Sequence, residues 1–200
     1  PECQYFPDFQ KFFNYYGSAD YADKWINAAF YNEQTNFAGG RGNADFAGYN
    51  KEALTEAISK GSAYMSVLMH VIRQLEAAIY SCSAGCTSQS CADGEASHSL
   101  DEAVAFYAGS LEGRDGSGDG VLLYDLADKR SLDFRTGGEK GNEIDGTSYV
   151  NLQVIQEFQR AQLFLKEKDC GSAEITKQNI VNHMRVPLVQ GVLRYAYIRE

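Results

Sequence analysis

The spacing of apolar residues over 51–82 constrains the fold more than any other feature of the sequence. Apolar side chains recur there every three or four positions, which places them on one face of an α-helix. Gly61 interrupts the pattern, so we expect a break or a kink between helices at 51–59 and 62–81. The alternation of apolar and polar residues that is typical of strands is not sustained anywhere. The sequence therefore predicts an all-α fold.

The rest of the chain supports the same class. Ser97 or Ser99 is the expected cap of a helix that opens with Asp101 and Glu102. Pro187 lies within the last helical pattern, so we expect a bend near Arg185. Glycines concentrate in the intervening loops, and the prediction is a multi-helix bundle with long glycine-rich loops. The further helices are predicted at 21–30, 101–111, 121–130, 148–168 and 172–198.

The N-terminal fifty residues have a different texture, with a dense aromatic run over residues 5–21. Core packing and a ligand-binding platform are both compatible with such a run. Glycines follow at positions 39–48, where Phe37 and Phe46 are expected to anchor a loop. The sequence assigns no helix to the aromatic run.

Length and charge limit the classes of protein. With 200 residues, of which 44% are apolar, the chain is predicted to form one helical domain over 1–200, with 1–82 and 98–200 as halves that share a core. A net charge of -9 argues against nucleic-acid binding, which depends on Lys and Arg. No apolar run approaches the roughly 18 residues of a membrane span, so direct membrane insertion is not expected. Because the chain opens on Pro1, we expect a processed mature form or an excised fragment.

The five cysteines indicate an oxidising compartment. Three of them lie in a Ser/Gly-rich loop, where structural disulfides are the main interpretation and a zinc site completed by His98 is the alternative. The connectivity stays open, and the odd count leaves one thiol free or paired elsewhere. The disulfide candidates are Cys3, Cys82, Cys86, Cys91 and Cys170.

Motifs of enzymes are missing from the sequence. It contains no nucleophile elbow, phosphate-binding loop or dinucleotide fingerprint. The histidines lack the spacing of a metalloprotease. The acidic loop at 112–120 lacks the register of an EF-hand. A non-enzymatic role is therefore predicted.

Several segments carry a resemblance to one family. They are D-Y-A-D-K-W-I-N-A-A-F (20–30), K-G-S-A-Y-M-S-V-L-M-H-V-I-R-Q-L-E-A-A (60–78), D-E-A-V-A-F-Y-A-G-S-L-E-G (101–113), L-L-Y-D-L-A-D-K-R (122–130) and M-R-V-P-L-V-Q-G-V-L-R-Y-A-Y (184–197). Taken in order, they resemble the algal low-iron-inducible, iron-assimilating periplasmic proteins, which include the phytotransferrins. Ser131 and Gly137 stand where that family has a pair of cysteines, and Ser99-Leu100 stands where it often has Trp.

The resemblance implies a secreted, periplasmic or cell-surface protein that binds ferric iron, with carbonate as a synergistic anion. Ferric iron is a hard cation that favours phenolate and carboxylate oxygen, and an arginine suits the anion. On these grounds the candidate metal ligands are Tyr64, Glu76, Asp101, Glu102, Tyr107, Tyr124 and Asp128, and the candidate anion-binding residues are Arg73 and Arg194.

Helical spacing shows which of these candidates lie on the same face of a helix. Tyr124 and Asp128 are four residues apart and share a face, whereas Glu102 and Tyr107 are five apart and diverge by about 140°. Each candidate has a plainer interpretation. Arg73 and Glu76, three apart, fit an ion pair, and Asp101 with Glu102 fits favourable charge at a helix N-terminus.

The sequence is also compatible with two other functions. One is a cell-surface structural protein that self-associates on the same fold without binding metal. The other is a helical-bundle enzyme.

Overall fold

The computed structural model of the chain describes residues 6–110, 113, 116 and 118–197. These residues form no strand, only the isolated bridges Gln34–Asp45, Gly137–Glu143 and Gly137–Ser148. The predicted all-α class is confirmed. The helices are α1 (Pro7–Tyr16), α2 (Tyr21–Tyr31), α3 (Lys51–Gly61), a π-helix (Ser62–Val67), α4 (Leu68–Ser83), α5 (Ser88–Asp93), α6 (Glu95–Ala108), α7 (Leu123–Phe134), α8 (Tyr149–Glu167) and α9 (Cys170–Tyr197).

Two compact units make up the chain, residues 1–73 and residues 74–200, and the boundary between them falls inside α4. The halves expected from the sequence, 1–82 and 98–200, place the division later. Whether they share one core stays a prediction. A search of the helices within the described ranges finds none that is both long and apolar enough to span a bilayer.

Aromatic packing builds the first unit. Pro7 occupies the first turn of α1, where its missing N–H costs no hydrogen bond, and Gly17 ends the helix in the left-handed conformation. The ring of Tyr16 then stacks on that of Tyr21, with centroids 4.7 Å apart. Phe9, Phe12 and Tyr16 pack against the buried Tyr21 and Phe37, so these members of the aromatic run contribute to a hydrophobic core.

Gly61 has a different role from the break that the sequence suggested. Its backbone is helical, and α3 continues through it into the π-helix. A Cβ at this position would lie 2.6 Å from Cζ3 of Trp25, so the absence of a side chain lets the indole ring pack against the helix. The irregularity follows one residue later, as the wider turns of Ser62–Val67.

The second unit contains a helical hairpin of α8 and α9, joined at Lys168 and Asp169, with α5, α6 and α7 packed around it. Ser148 caps α8 by accepting a hydrogen bond from the N–H of Asn151, at the start predicted from the sequence. α9 runs without interruption past the buried Pro187. The bend expected near Arg185 stays a prediction.

The predicted start of α6 is wrong. The helix begins at Glu95 rather than Asp101, because residues 95–100 already bury Ala96 and Leu100 in the core. Asp101 and Glu102 therefore lie in the middle of α6, and the interpretation of these acids as partners of a helix N-terminus is wrong too. α5 is a short helix within the stretch that was predicted to be a loop.

Two disulfides confirm the prediction of a disulfide-stabilised fold. Cys82 at the end of α4 pairs with Cys170 at the start of α9, and Cys86 pairs with Cys91 across the turn into α5. Cys3, the fifth candidate, lies outside the described residues.

Candidate functional site

Three of the candidate metal ligands meet in a buried polar cluster of the second unit. α6 contributes Tyr107 from its last turn, and α7 contributes Tyr124 and Asp128 one turn apart. Asn151, from the first turn of α8, lies between them. Tyr107, Tyr124 and Asn151 are almost completely buried, so their hydroxyl and amide groups need partners within the protein for hydrogen bonds.

Asn151 bridges the cluster through both ends of its amide. Its Oδ1 accepts a hydrogen bond from the Tyr107 hydroxyl at 2.5 Å, and its Nδ2 donates to Oδ1 of Asp128 at 2.8 Å. The same Nδ2 donates to the carbonyl oxygen of Tyr124 at 3.0 Å. The Tyr124 hydroxyl donates to the carbonyl oxygen of Gly116 at 2.5 Å. The cluster thereby joins α6, α7 and α8.

Burial dominates the electrostatics of this cluster. Desolvation raises the pKa of Asp128, while hydrogen bonds from Ser148 and Asn151 to its carboxylate act in the opposite direction. The backbone N–H of Ser148 donates to Oδ1 of Asp128 at 2.7 Å. The carboxylate is therefore partly dehydrated and is held by directed donors.

Two phenols, a carboxylate and an amide carbonyl provide the hard oxygen donors that ferric iron prefers. The side-chain amide of Asn151 is hydrogen-bonded to Tyr107, to Asp128 and to the backbone of Tyr124. An ion would have to replace the hydroxyl protons of Tyr107 and Tyr124, and the Asn151 amide would have to turn away from Tyr107 and Asp128.

The remaining metal candidates lie elsewhere. Tyr64 is half-buried in the π-helix, and Glu76 is buried in α4. Asp101 and Glu102 are exposed on α6. Glu102 and Tyr107 diverge as the helical spacing predicted, since Tyr107 is buried. Asp101 also lines a small cavity of about 220 Å³ that includes Gln159 of α8.

The two candidate anion-binding arginines have different surroundings. Arg194 of α9 pairs through Nε with Asp133 at 3.1 Å, and the same carboxylate oxygen lies 3.0 Å from Nη1 of the buried Arg130. Arg73 instead stacks over the ring of Phe6. Within the described ranges no ion pair of Arg73 is seen, so the expected pair with Glu76 does not form.

The cysteine loop brings three sulfur atoms together. The Sγ atoms of Cys82, Cys86 and Cys91 lie within 4.8 Å of one another, and a search of the described residues for clusters of His, Cys, Asp or Glu returns this group. All three cysteines are in disulfides, which leaves no thiolate for the zinc alternative. His98 is exposed on α6.

Sequence reasoning missed Asn151, the residue that holds the buried cluster together. One signal was available. Asn151 falls among Val150, Val154, Ile155 and Phe158 on the apolar side of α8, and a polar residue on such a face needs a buried partner.

Comparison of the chain with protein-family models, with curated proteins and with solved structures found no match. The resemblance to the iron-assimilating proteins thus depends on the sequence segments quoted above.

Proposed function

We propose that this chain is an extracellular or periplasmic ferric-iron-binding protein without catalytic activity, related to the iron-assimilating family that its segments resemble. One observation carries the proposal. The side chains of Tyr107 and Asp128, chosen as ligands from the sequence, meet at Asn151 although they come from two helices, and the ring centroid of Tyr124 lies 6.2 Å from that of Tyr107. Phenol and carboxylate oxygens are the donor types that ferric iron favours, and the hydroxyl of Tyr124 would have to turn from the carbonyl oxygen of Gly116 to join them.

The location outside the cytosol is supported by the disulfides. Bonds such as Cys82–Cys170 form and persist in secreted and periplasmic proteins and are rare where thiols are kept reduced. Carbonate as the synergistic anion is proposed from the resemblance alone. The ion pair of Arg194 with Asp133 does not favour Arg194 as its binding residue.

A ferric titration with and without bicarbonate tests the proposal. We expect a visible absorption band from charge transfer between phenolate and iron, which fades on acidification as the phenolates take up protons. Tyr107→Phe and Tyr124→Phe should each weaken the band. Tyr197→Phe, at a side chain that is 83% exposed, is the matched control and should leave the band unchanged.

Two results would contradict the proposal. A wild-type protein that binds ferric iron no better than the buffer does, with or without bicarbonate, would reject the proposal. Equal binding by Tyr107→Phe, Tyr124→Phe and Tyr197→Phe would reject the cluster as the site.

The second candidate function is a cell-surface structural protein that self-associates. An exposed apolar face on the C-terminal half of α9 favours it. The side chains of that face project within about 140° of one another, and they are Val186, Val189, Val192, Leu193 and Tyr197. Contiguous apolar surface of this kind is typical of protein interaction sites.

Light scattering over a range of concentrations tests this function. Val189→Glu should abolish self-association, whereas Gln178→Glu, at an exposed position on the same helix, should not. A wild-type protein that is monomeric at every concentration would exclude self-association through this face.

A further inference from the structure

A cavity of about 480 Å³ lies within the first unit. Its walls come from α1, α2, the π-helix and the first turns of α4. Buried Tyr21, Met65 and Met69 form its floor, and exposed Ala19 and Ser66 lie at its rim. Small-molecule sites in proteins commonly have volumes of about 300–1,000 Å³, so the cavity is large enough for an organic ligand.

The floor of the cavity is apolar and its one hydroxyl is occupied. Tyr21 donates a hydrogen bond to the carbonyl oxygen of Met65 in the π-helix at 3.1 Å. Burial raises the pKa of Tyr21, so the phenol stays neutral. Methionine sulfur packs favourably against aromatic rings, and Met65 and Met69 can adapt to a flat ligand. π-helical turns are uncommon and often occur at functional sites.

Arg73 gives the cavity its charge. The guanidinium carbon lies 3.5 Å from the centroid of the Phe6 ring, so one face of the group is stacked. Stacking leaves the N–H groups, which lie in the guanidinium plane, to donate to another partner. Among the residues that the structure describes, Arg73 has no ion pair, and no aspartate or glutamate lines the cavity. This is unusual in a chain with a net charge of -9.

We propose that the cavity binds an organic anion with a flat apolar body, such as an aromatic carboxylate. The carboxylate pairs with Arg73, and the ring packs against Phe9, Met65 and Met69. A carbonate ion alone would use only a small part of the volume. The cavity shares no residue with the polar cluster proposed to bind ferric iron, and its test is carried out without iron.

Calorimetric titration of the whole chain with 1-naphthoate, and with the uncharged 1-naphthalenemethanol, tests the proposal. Wild type should bind the carboxylate more tightly than the alcohol. Arg73→Met should weaken 1-naphthoate by about tenfold or more, the effect of one lost charge-assisted hydrogen bond, and should change the alcohol far less. Arg73→Lys keeps the charge and should retain part of the preference.

Two further variants make the test decisive. Ala22→Phe places a ring in the cavity, leaves Arg73 intact and should abolish binding of both ligands. Arg41→Met removes an exposed arginine of the same unit and should leave binding unchanged. The proposal is overturned if wild type binds neither ligand, if it binds both equally, or if Arg73→Met and Ala22→Phe, folded as judged by circular dichroism, bind 1-naphthoate as wild type does.

Discussion

The buried Asn151 of the second unit and the half-buried Arg73 of the first unit have different surroundings. In the second unit, Tyr107, Asn151 and Asp128 satisfy one another, and two disulfides tie the neighbouring helix ends. In the first unit, Arg73 lines a cavity and stacks on the ring of Phe6. The comparison teaches that burial by itself does not mark a binding site. The ferric site proposed at Asn151 requires existing hydrogen bonds to be exchanged for metal ligands, whereas the ligand proposed for the cavity meets a guanidinium that has no ion pair among the described residues.

The disulfides offer the largest effect with which to test this comparison. Replacing both Cys82 and Cys170 by Ser should lower the free energy of unfolding by about 4–5 kcal/mol, because the bond closes a long loop in the unfolded chain. The sequence separation is 88 residues for this bond and 5 for Cys86–Cys91. The same replacement at Cys86 and Cys91 should cost only about 2 kcal/mol. Urea denaturation measures both, and a larger loss for the short loop would contradict the argument.

The closed network should show the next largest effect. Asn151→Ala leaves the Tyr107 hydroxyl and the Asp128 carboxylate without their amide partner, and we expect a loss of about 3 kcal/mol. Asn182→Ala is the matched control. Asn182 accepts hydrogen bonds on the exposed side of α9, so its loss should stay below about 0.5 kcal/mol. Similar losses for the two variants would show that the network contributes little.

Gly61 tests the packing of the first unit. Gly61→Ala should gain about 1 kcal/mol of helix propensity but lose more as the Trp25 ring is displaced, for a net loss of about 1 kcal/mol. Gly171→Ala is the control, since a Cβ there meets its nearest atom at 3.6 Å. Thermal unfolding should show Gly171→Ala unchanged or stabilised. A stabilised Gly61→Ala would mean that Trp25 moves freely.

The smallest expected effect is on the pH dependence of stability, which should have opposite signs for Asp128 and Asp20. Burial raises the pKa of Asp128 in the folded protein. The carboxyl of Asp128 therefore stabilises the fold less as the pH rises from about 3.8, its pKa in the unfolded chain, through its pKa in the folded protein. In the first unit, the Ser18 hydroxyl and Lys24 lower the pKa of the exposed Asp20, so its contribution is lost as the pH falls through the folded value. The stability of Asp128→Asn relative to wild type should therefore rise with pH, and that of Asp20→Asn should fall.

Denaturation of wild type and the two variants between about pH 3 and pH 7 measures both slopes. Slopes of the same sign would contradict the assignment of the two carboxyls to different environments.

Much of the fold could be predicted from local spacing. The apolar period predicted both ends of α8 to within one residue. Its start was also marked by Ser148, a cap whose geometry depends only on its near neighbours. The start of α6 was missed because Ser97 and Ser99 looked like caps, while burial of Ala96 and Leu100 carries the helix further back. Capping signals are local, and the contacts that override them come from distant parts of the chain.

For the candidate cluster, the residue types could be chosen from the sequence, but their proximity in the folded chain could not be predicted. Tyr124 and Asp128 share a face by helical spacing, whereas Tyr107 joins them only because α6 packs beside α7 and α8. The surroundings of Arg73 could not be predicted from the sequence either. Its partner Phe6 lies 67 positions earlier in the chain, and no local pattern indicated that a cavity would open beside the pair.

The sequence by itself therefore determined the helical class, the glycine-rich loops and the need for disulfides, since these depend on periodicity and composition. The tertiary structure decided which cysteines pair, why position 61 lacks a side chain, and which polar groups are closed off and which face a cavity. The physical reason is that periodicity is expressed within a few residues. Pairing, packing and cavity formation depend on groups that are distant in sequence and become neighbours only in the folded chain.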